Sequence, residues 1–235
     1  MTSLIRVLLA VVALSGAAAA AERVDAIIVL GADVSRSIDD DEYRLQRQGT
    51  ITALTSPRVL AAIRSGNHGA VAICFFEWAG VGQQKLVVDW TVVRDLASAQ
   101  RVAAIVEAAP RSYYGSTALG AAIDFGMRLL ARAPVESDRQ VIDISGDGTN
   151  TGGPSIAAAR DAAVEAGITI NALVILSPVP NPFNPYHTHP PEGLEEYFRR
   201  NVIGGYGAFT VVADGFEAFA DAMINKLIRE IAALP

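Results

Sequence analysis

One cysteine in 235 residues leaves no partner for an intrachain disulfide, so the fold must hold by packing. That residue, Cys74, sits inside an apolar run, where a thiol acts as a small buried hydrophobe. Positive charge is also scarce, with 19 Lys and Arg against 25 Asp and Glu and a formal net of −6. An acid excess of this kind excludes nucleic acid as the expected partner. The chain shows no internal repeat and no linker that would divide it. The strongly apolar run near the start, Val7 to Leu14, is short for a membrane span. It follows Arg6 and gives way to Ser15-Gly16 and alanines through Ala21, the pattern of a signal peptide over residues 1–21. An uncleaved anchor is the competing reading. No cysteine lies near the expected cut, which argues against a lipoprotein. Cleavage takes Arg6 from the 19 basic residues and leaves a net of −7. The expectation is one domain over residues 22–235, periplasmic or secreted, with no membrane insertion after cleavage. Its 51% hydrophobic content is ample for a core.

Short apolar runs rich in Ile and Val alternate with helical patterns. Val24 to Leu30, Ala70 to Phe76, Arg139 to Ile144, Ile168 to Leu176 and Ala208 to Val212 read as strands, buried on both faces where the apolar run is continuous. Gly80-Val81-Gly82 reads as a hairpin turn into Lys85 to Trp90, an antiparallel edge strand. Tyr43–Leu54 reads as a polar, weakly amphipathic helix, and further helices run through Asp95–Ala108, the stripe from Leu119 to Leu130, Ser155–Ala166, Leu194 to about Arg200, and Phe216 to Ile231, while Pro57 restarts a short turn. The closing helix reads as core-facing, with Glu217, Asp221, Lys226, Arg229 and Glu230 on its polar side. The fold class expected is α/β: a doubly wound, mostly parallel six-stranded sheet with one antiparallel edge strand and helices on both faces.

Hard oxygen donors collect where strands end and helices begin. The first strand runs into Asp33-Val34-Ser35-Arg36-Ser37, followed by Asp39 and Glu42 at capping-box spacing. Thr117 follows Tyr113-Tyr114-Gly115-Ser116 just before a helix, and Asp147 lies in Ser145-Gly146-Asp147-Gly148-Thr149-Asn150 after the fourth strand. Ligands in open α/β sheets gather beyond the carboxyl ends of the strands. Asp33, Ser35 and Ser37 include no His or Cys, which suits Mg²⁺, Mn²⁺ or Ca²⁺ better than zinc. A helix cap plus a polar turn is the bland alternative for this stretch.

Taken together, Asp33-x-Ser35-x-Ser37, Gly115-Ser116-Thr117 and Ser145-Gly146-Asp147-Gly148 resemble the metal-ion-dependent adhesion site of the von Willebrand factor type A domain, in order and spacing. The likeness covers nearly the whole chain after the leader. In detail it looks like small bacterial exported type A proteins of unknown function, through Gln46-Arg47-Gln48, Val141 to Gly148 and Val202-Ile203-Gly204-Gly205. The resemblance implies a Rossmann-like fold and one divalent cation, most readily Mg²⁺, with Mn²⁺ or Ca²⁺ as alternatives. Ser35, Ser37 and Thr117 would bind it directly or through water, and Asp33 and Asp147 would supply charge from close by. Neutral hydroxyls leave a divalent cation under-neutralised, so an open position attracts a carboxylate from a protein partner.

The implied role is a binding module and not an enzyme, since the three loops hold no His or Lys as a general base. A metal-dependent, haloacid-dehalogenase-like phosphatase is the enzyme alternative, because Gly146 to Asn150 is similar to that family's late acidic motif. Ser35 stands where that family needs a second Asp. A structural domain with no functional metal is the other alternative. His187 and His189, in the Pro- and Asn-rich loop Ser177–Pro191, read as solvated histidines on the rim that carries the site. Glu77-Trp78 reads as an ordinary strand end, Tyr113 and Tyr114 as packing residues, and Asp143 as a structural carboxylate that needs a partner. Oligomeric state is not legible.

Overall fold

A computed structural model describes residues 21–232. The leader expected over residues 1–21 lies outside the described residues except for Ala21. A two-residue strand β1 (Glu22–Arg23) leads into β2 (Ala26–Asp33), the helices α1 (Asp40–Leu54) and α2 (Pro57–Arg64), and the hairpin of β3 (Val71–Trp78) and β4 (Gln84–Val93). Next come α3 (Leu96–Ala108), α4 (Leu119–Leu130), the short β5 (Val135–Glu136), β6 (Gln140–Gly146), α5 (Ile156–Glu165) and β7 (Thr169–Leu176). The chain continues through α6 (Pro185–Thr188), α7 (Leu194–Asn201), β8 (Thr210–Asp214) and α8 (Phe219–Ala232). The main sheet has the order β4-β3-β2-β6-β7-β8, every neighbouring pair parallel except β3–β4. This is the doubly wound sheet with an antiparallel edge that the hydrophobic patterning predicts.

Local chemistry accounts for the boundaries. All eight residues of β2 are buried, as a central parallel strand requires, and it ends as the chain turns polar. Asp39 caps α1 in a reciprocal box with Glu42, and Asp40, Asp41 and Glu42 place negative charge on the positive end of the helix. The segment after Pro57 is a helix and not a short turn: Ser56 caps it and Pro57 occupies its first turn, where a missing N–H costs nothing. Observed strands run up to three residues past their expected carboxyl ends, because backbone pairing continues into the polar residues that apolar patterning cannot count.

Alternate strand residues feed two cores. Ile28, Leu30, Ile73 and Phe75 pack with Leu54, Ile63, Val102 and Leu227 of α1, α2, α3 and α8, and Ile27, Val29, Cys74 and Ile142 pack with Ile123, Ala163 and Phe198 of α4, α5 and α7. Among the described residues no helix is long and apolar enough to cross a membrane.

One polar group crosses the first core. Lys226 and Glu230 are fully buried, contrary to the solvated polar face expected for α8. Lys226 Nζ lies 2.6 Å from Asp143 Oδ1 and also bonds Glu230, whose Oε1 accepts from Asn171 Nδ2 at 2.9 Å. The buried carboxylate of β6 thus finds its partner on α8. Burial, with Glu230 nearby, pushes the Asp143 carboxyl up to about 7, and Lys226 opposes that rise.

Candidate metal centre at the carboxyl edge of the sheet

β2 and β6 are adjacent and parallel, so the loops that leave their carboxyl ends emerge side by side. The loop before α4 arrives from beyond β3: the Ala118 N–H donates to Ala79 O at 3.0 Å and the Arg36 N–H to Gly115 O at 2.9 Å. The structure therefore brings Asp33, Ser35, Ser37, Thr117 and Asp147 into one cluster. Ser35 Oγ lies 3.1 Å from Ser37 Oγ, Ser37 Oγ donates to Asp147 Oδ1 at 2.8 Å, and Thr117 Oγ1 donates to Ser35 Oγ at 3.1 Å. Asp33 turns back on its own loop, where Oδ1 accepts the Ser35 N–H at 2.7 Å. All of these side chains are buried except Ser37, which is half-buried.

None of the five clustered side chains carries a positive charge. Asp33 Oδ2 is buried with no hydrogen-bond partner among the described residues. Burial, and then the charge of Asp147, raises the Asp33 carboxyl well above its ordinary value, although Arg111 and two bonds from Ser35 pull the other way. Burial also pushes Asp147 up to about 6, against the bond from Ser37. Two desolvated carboxylates and three hydroxyls suit a hard cation, and adjacent ligands of an octahedral Mg²⁺ stand about 3.0 Å apart, close to the hydroxyl spacings here. Among the described residues no group of three or more His, Cys, Asp and Glu side chains is arranged to hold a metal, so a cation at this edge would depend on the hydroxyls.

The surroundings fix the loops. Arg111, which sequence reasoning missed, lies beneath the Asp33–Ile38 turn, its side chain 5% exposed. Its Nη2 donates to Val34 O, Ser35 O and Ile38 O at 3.0, 3.0 and 2.8 Å. Gln46 Nε2 donates to Asp33 O at 2.9 Å from α1. Glu77 is no ordinary strand end: it is buried, paired with Arg47, and accepts from Tyr43 Oη at 3.0 Å and from the Ser112 N–H at 2.9 Å. It thereby anchors the loop that carries Thr117. Trp78 is buried in the core. Tyr113 packs on the core as expected, whereas Tyr114 is exposed and its hydroxyl donates to Asp40 Oδ1 at 3.2 Å. The loop after β6 fastens to the same loop through Thr151 Oγ1, which accepts the Thr117 N–H at 2.9 Å. Asn150 Oδ1 caps α4 by accepting the Leu119 N–H at 2.9 Å.

His187 departs most from the sequence reading. It is buried and not solvated, with Nε2 3.4 Å from Thr117 Oγ1 and Nδ1 3.4 Å from Thr149 Oγ1. Burial lowers its pKa, which favours the neutral ring. The backbone N–H of Thr149 donates to His187 O at 2.8 Å and ties the Pro-rich segment to the Asp147 loop. His189 stays at the surface beside Thr188.

A family model described as "Protein of unknown function (DUF1194)" matches residues 23–235. The chain belongs to this family. A search of curated proteins finds no match for it. The DUF1194 chain is similar in structure to a von Willebrand factor type A protein from Catenulispora acidiphila, at TM-score 0.60 and 13% identity over 88% of this chain and 43% of that one. It is similar to proximal thread matrix protein 1 of the mussel byssus, in a structure described as having a zinc-occupied metal-ion-dependent adhesion site, at TM-score 0.60 and 17% identity over 90% and 46%. The pilus adhesin SpaC of Lactobacillus rhamnosus GG is similar at TM-score 0.62 and 16% identity over 90% and 31%. The chain spans less than half the length of each of these three proteins. The DUF1194 chain therefore has the von Willebrand factor type A fold.

Proposed function

We propose that this protein is an exported, metal-dependent protein-binding module. In this reading Ser35, Ser37 and Thr117 present hydroxyl oxygens to one divalent cation, and Asp33 and Asp147 balance its charge. The observation that carries it is the buried, unpartnered Asp33 Oδ2 beside a second desolvated carboxylate and three hydroxyls. A bound Mg²⁺, Mn²⁺ or Ca²⁺ would supply Lewis acidity toward an incoming carboxylate. The chain's own residues hold the loops still. Arg111 and Gln46 fix the Asp33–Ser37 backbone, and Glu77 and Thr151 fix Thr117.

Macromolecular partners are favoured by the rim. Val81 and Tyr114 are exposed on loops next to the cluster, and Val179, Phe183 and Tyr186 on the segment that carries His187, Phe183 at 96%. Exposed apolar and aromatic side chains around a charged centre are what a protein interface uses. That two neighbours are described as an adhesin and a thread matrix protein agrees with such a role. A phosphatase-like role is not favoured, because Ser35 and not a carboxylate stands two residues beyond Asp33.

Calorimetric titration of chelator-stripped protein with Mg²⁺, Mn²⁺ and Ca²⁺, beside Asp33→Ala and Thr117→Ala, tests the reading. Saturable one-site binding lost in Asp33→Ala supports it, and proteins that the loaded form retains should elute with chelator. A partner held equally well in excess chelator would refute the carboxylate mechanism, and the absence of cation binding would leave a structural domain with polar caps.

A further inference from the structure

We infer that His187 is the chain's own nitrogen ligand at this centre, so that the site selects imidazole-preferring cations such as Zn²⁺ and Co²⁺ over Mg²⁺. The inference rests on the cation-site reading above and refines which ions that site takes. Thr117 Oγ1 contacts Ser35 Oγ at 3.1 Å on one side and His187 Nε2 at 3.4 Å on the other, so the ring nitrogen continues the row of donors. Neighbouring ligands of a four- to six-coordinate ion stand about 3.0–3.4 Å apart. The imidazole is buried, which holds it at the cluster and out of bulk water.

Its other nitrogen is already employed. Nδ1 faces Thr149 Oγ1 at 3.4 Å, and a ligating imidazole characteristically gives its second N–H to such an acceptor, which leaves the Nε2 lone pair for the metal. The backbone bond from Thr149 to His187 O sets the ring's height. Gly148 makes room: a Cβ there would fall 2.2 Å from both Nε2 and Cε1 of the ring. A ring nitrogen added to the three hydroxyls moves the donor set from one suited to Mg²⁺ toward one that Zn²⁺ and Co²⁺ prefer.

The test titrates chelator-stripped wild type, His187→Ala and Asp33→Ala with Mg²⁺ and Co²⁺, reading calorimetric affinity and the visible Co²⁺ spectrum. Wild type should bind Co²⁺ at least about 10-fold more tightly than Mg²⁺, and His187→Ala should lose at least about 10-fold for Co²⁺ with an altered spectrum. Mg²⁺ affinity of His187→Ala should stay within about threefold of wild type. Side-chain ¹⁵N NMR of wild type with Zn²⁺ adds a measurement without substitution, and the His187 Nε2 resonance should shift with saturation. Unchanged Co²⁺ affinity and spectrum in His187→Ala, with binding still lost in Asp33→Ala, would overturn the His187 assignment and leave the cation site standing. No binding of either ion by wild type would overturn both.

Discussion

Replacing Arg111 by alanine removes the donor to three carbonyls at once, those of Val34, Ser35 and Ile38. All three residues are buried, so their oxygens lose a charged partner with little access to water. Ser35 O keeps the Ile38 N–H at 3.2 Å, so Val34 O and Ile38 O are left without a donor; at about 1–3 kcal/mol for each, and not additive, the expected loss is roughly 3–4 kcal/mol. For a domain of this length that is a fall of roughly 6–16 °C in Tm. Arg111→Lys should recover only part of it, because one ammonium can meet the carbonyls that converge on Nη2 but not also Tyr113 O and Asp40 Oδ1, which Nε and Nη1 hold. The turn that loosens is the one presenting Asp33, Ser35 and Ser37, so cation affinity should fall about 10- to 100-fold, as when groups that orient ligands are removed. Urea unfolding and calorimetry on the same samples give both numbers. Stability within 1 kcal/mol of wild type together with unchanged affinity would refute the idea that Arg111 holds the site.

Lys226→Met leaves Asp143 and Glu230 buried without their cation and should cost about 3–5 kcal/mol at pH 7 by urea unfolding, with less lost at pH 5, where protonating Asp143 costs less. In chelator-treated protein Asp147 keeps its proton to about 6 in the fold, whereas the unfolded carboxyl releases it near 3.8. Asp147 therefore contributes a fall in stability of about 3 kcal/mol as pH rises from about 4 through about 6, in addition to those from Asp33 and Asp143, and Asp147→Asn should reduce that slope in thermal melts. Gly148→Ala should displace the His187 ring and reproduce the Co²⁺ spectrum of His187→Ala. Gly31→Ala puts a methyl 2.5 Å from the Phe76 ring and should cost about 1–3 kcal/mol, measurable by denaturation.

The legible parts of the chain were those in which local pattern and tertiary role agree. Continuous Ile/Val runs mark the parallel strands, and the end of the first run places Asp33, Ser35 and Ser37 in the loop beyond its carboxyl end, where they cluster. Arg111 left no such signal: its three acceptors belong to another loop, brought beneath it only by tertiary structure. His187 looked solvated because its loop is rich in Pro and Asn. The cues that it was not are Pro185, which opens the four-residue helix α6, and Gly148, bare beside Asp147. Lys226 and Glu230, four residues apart, read from the sequence as part of the polar side of α8. Asp143 in an apolar strand was the hint that a cation had to be buried with it, and Lys226 shares its helix face with Met223 and Leu227.

The most direct measurement is anomalous scattering from crystals of the protein grown with Mn²⁺, collected for wild type and Asp33→Ala. A single strong peak among the Ser35, Ser37 and Thr117 hydroxyls, absent in Asp33→Ala, is the result expected of a cation site at this edge of the sheet. A well-ordered wild-type structure at saturating Mn²⁺ with no peak there, or with a peak unaffected by Asp33→Ala, would contradict it.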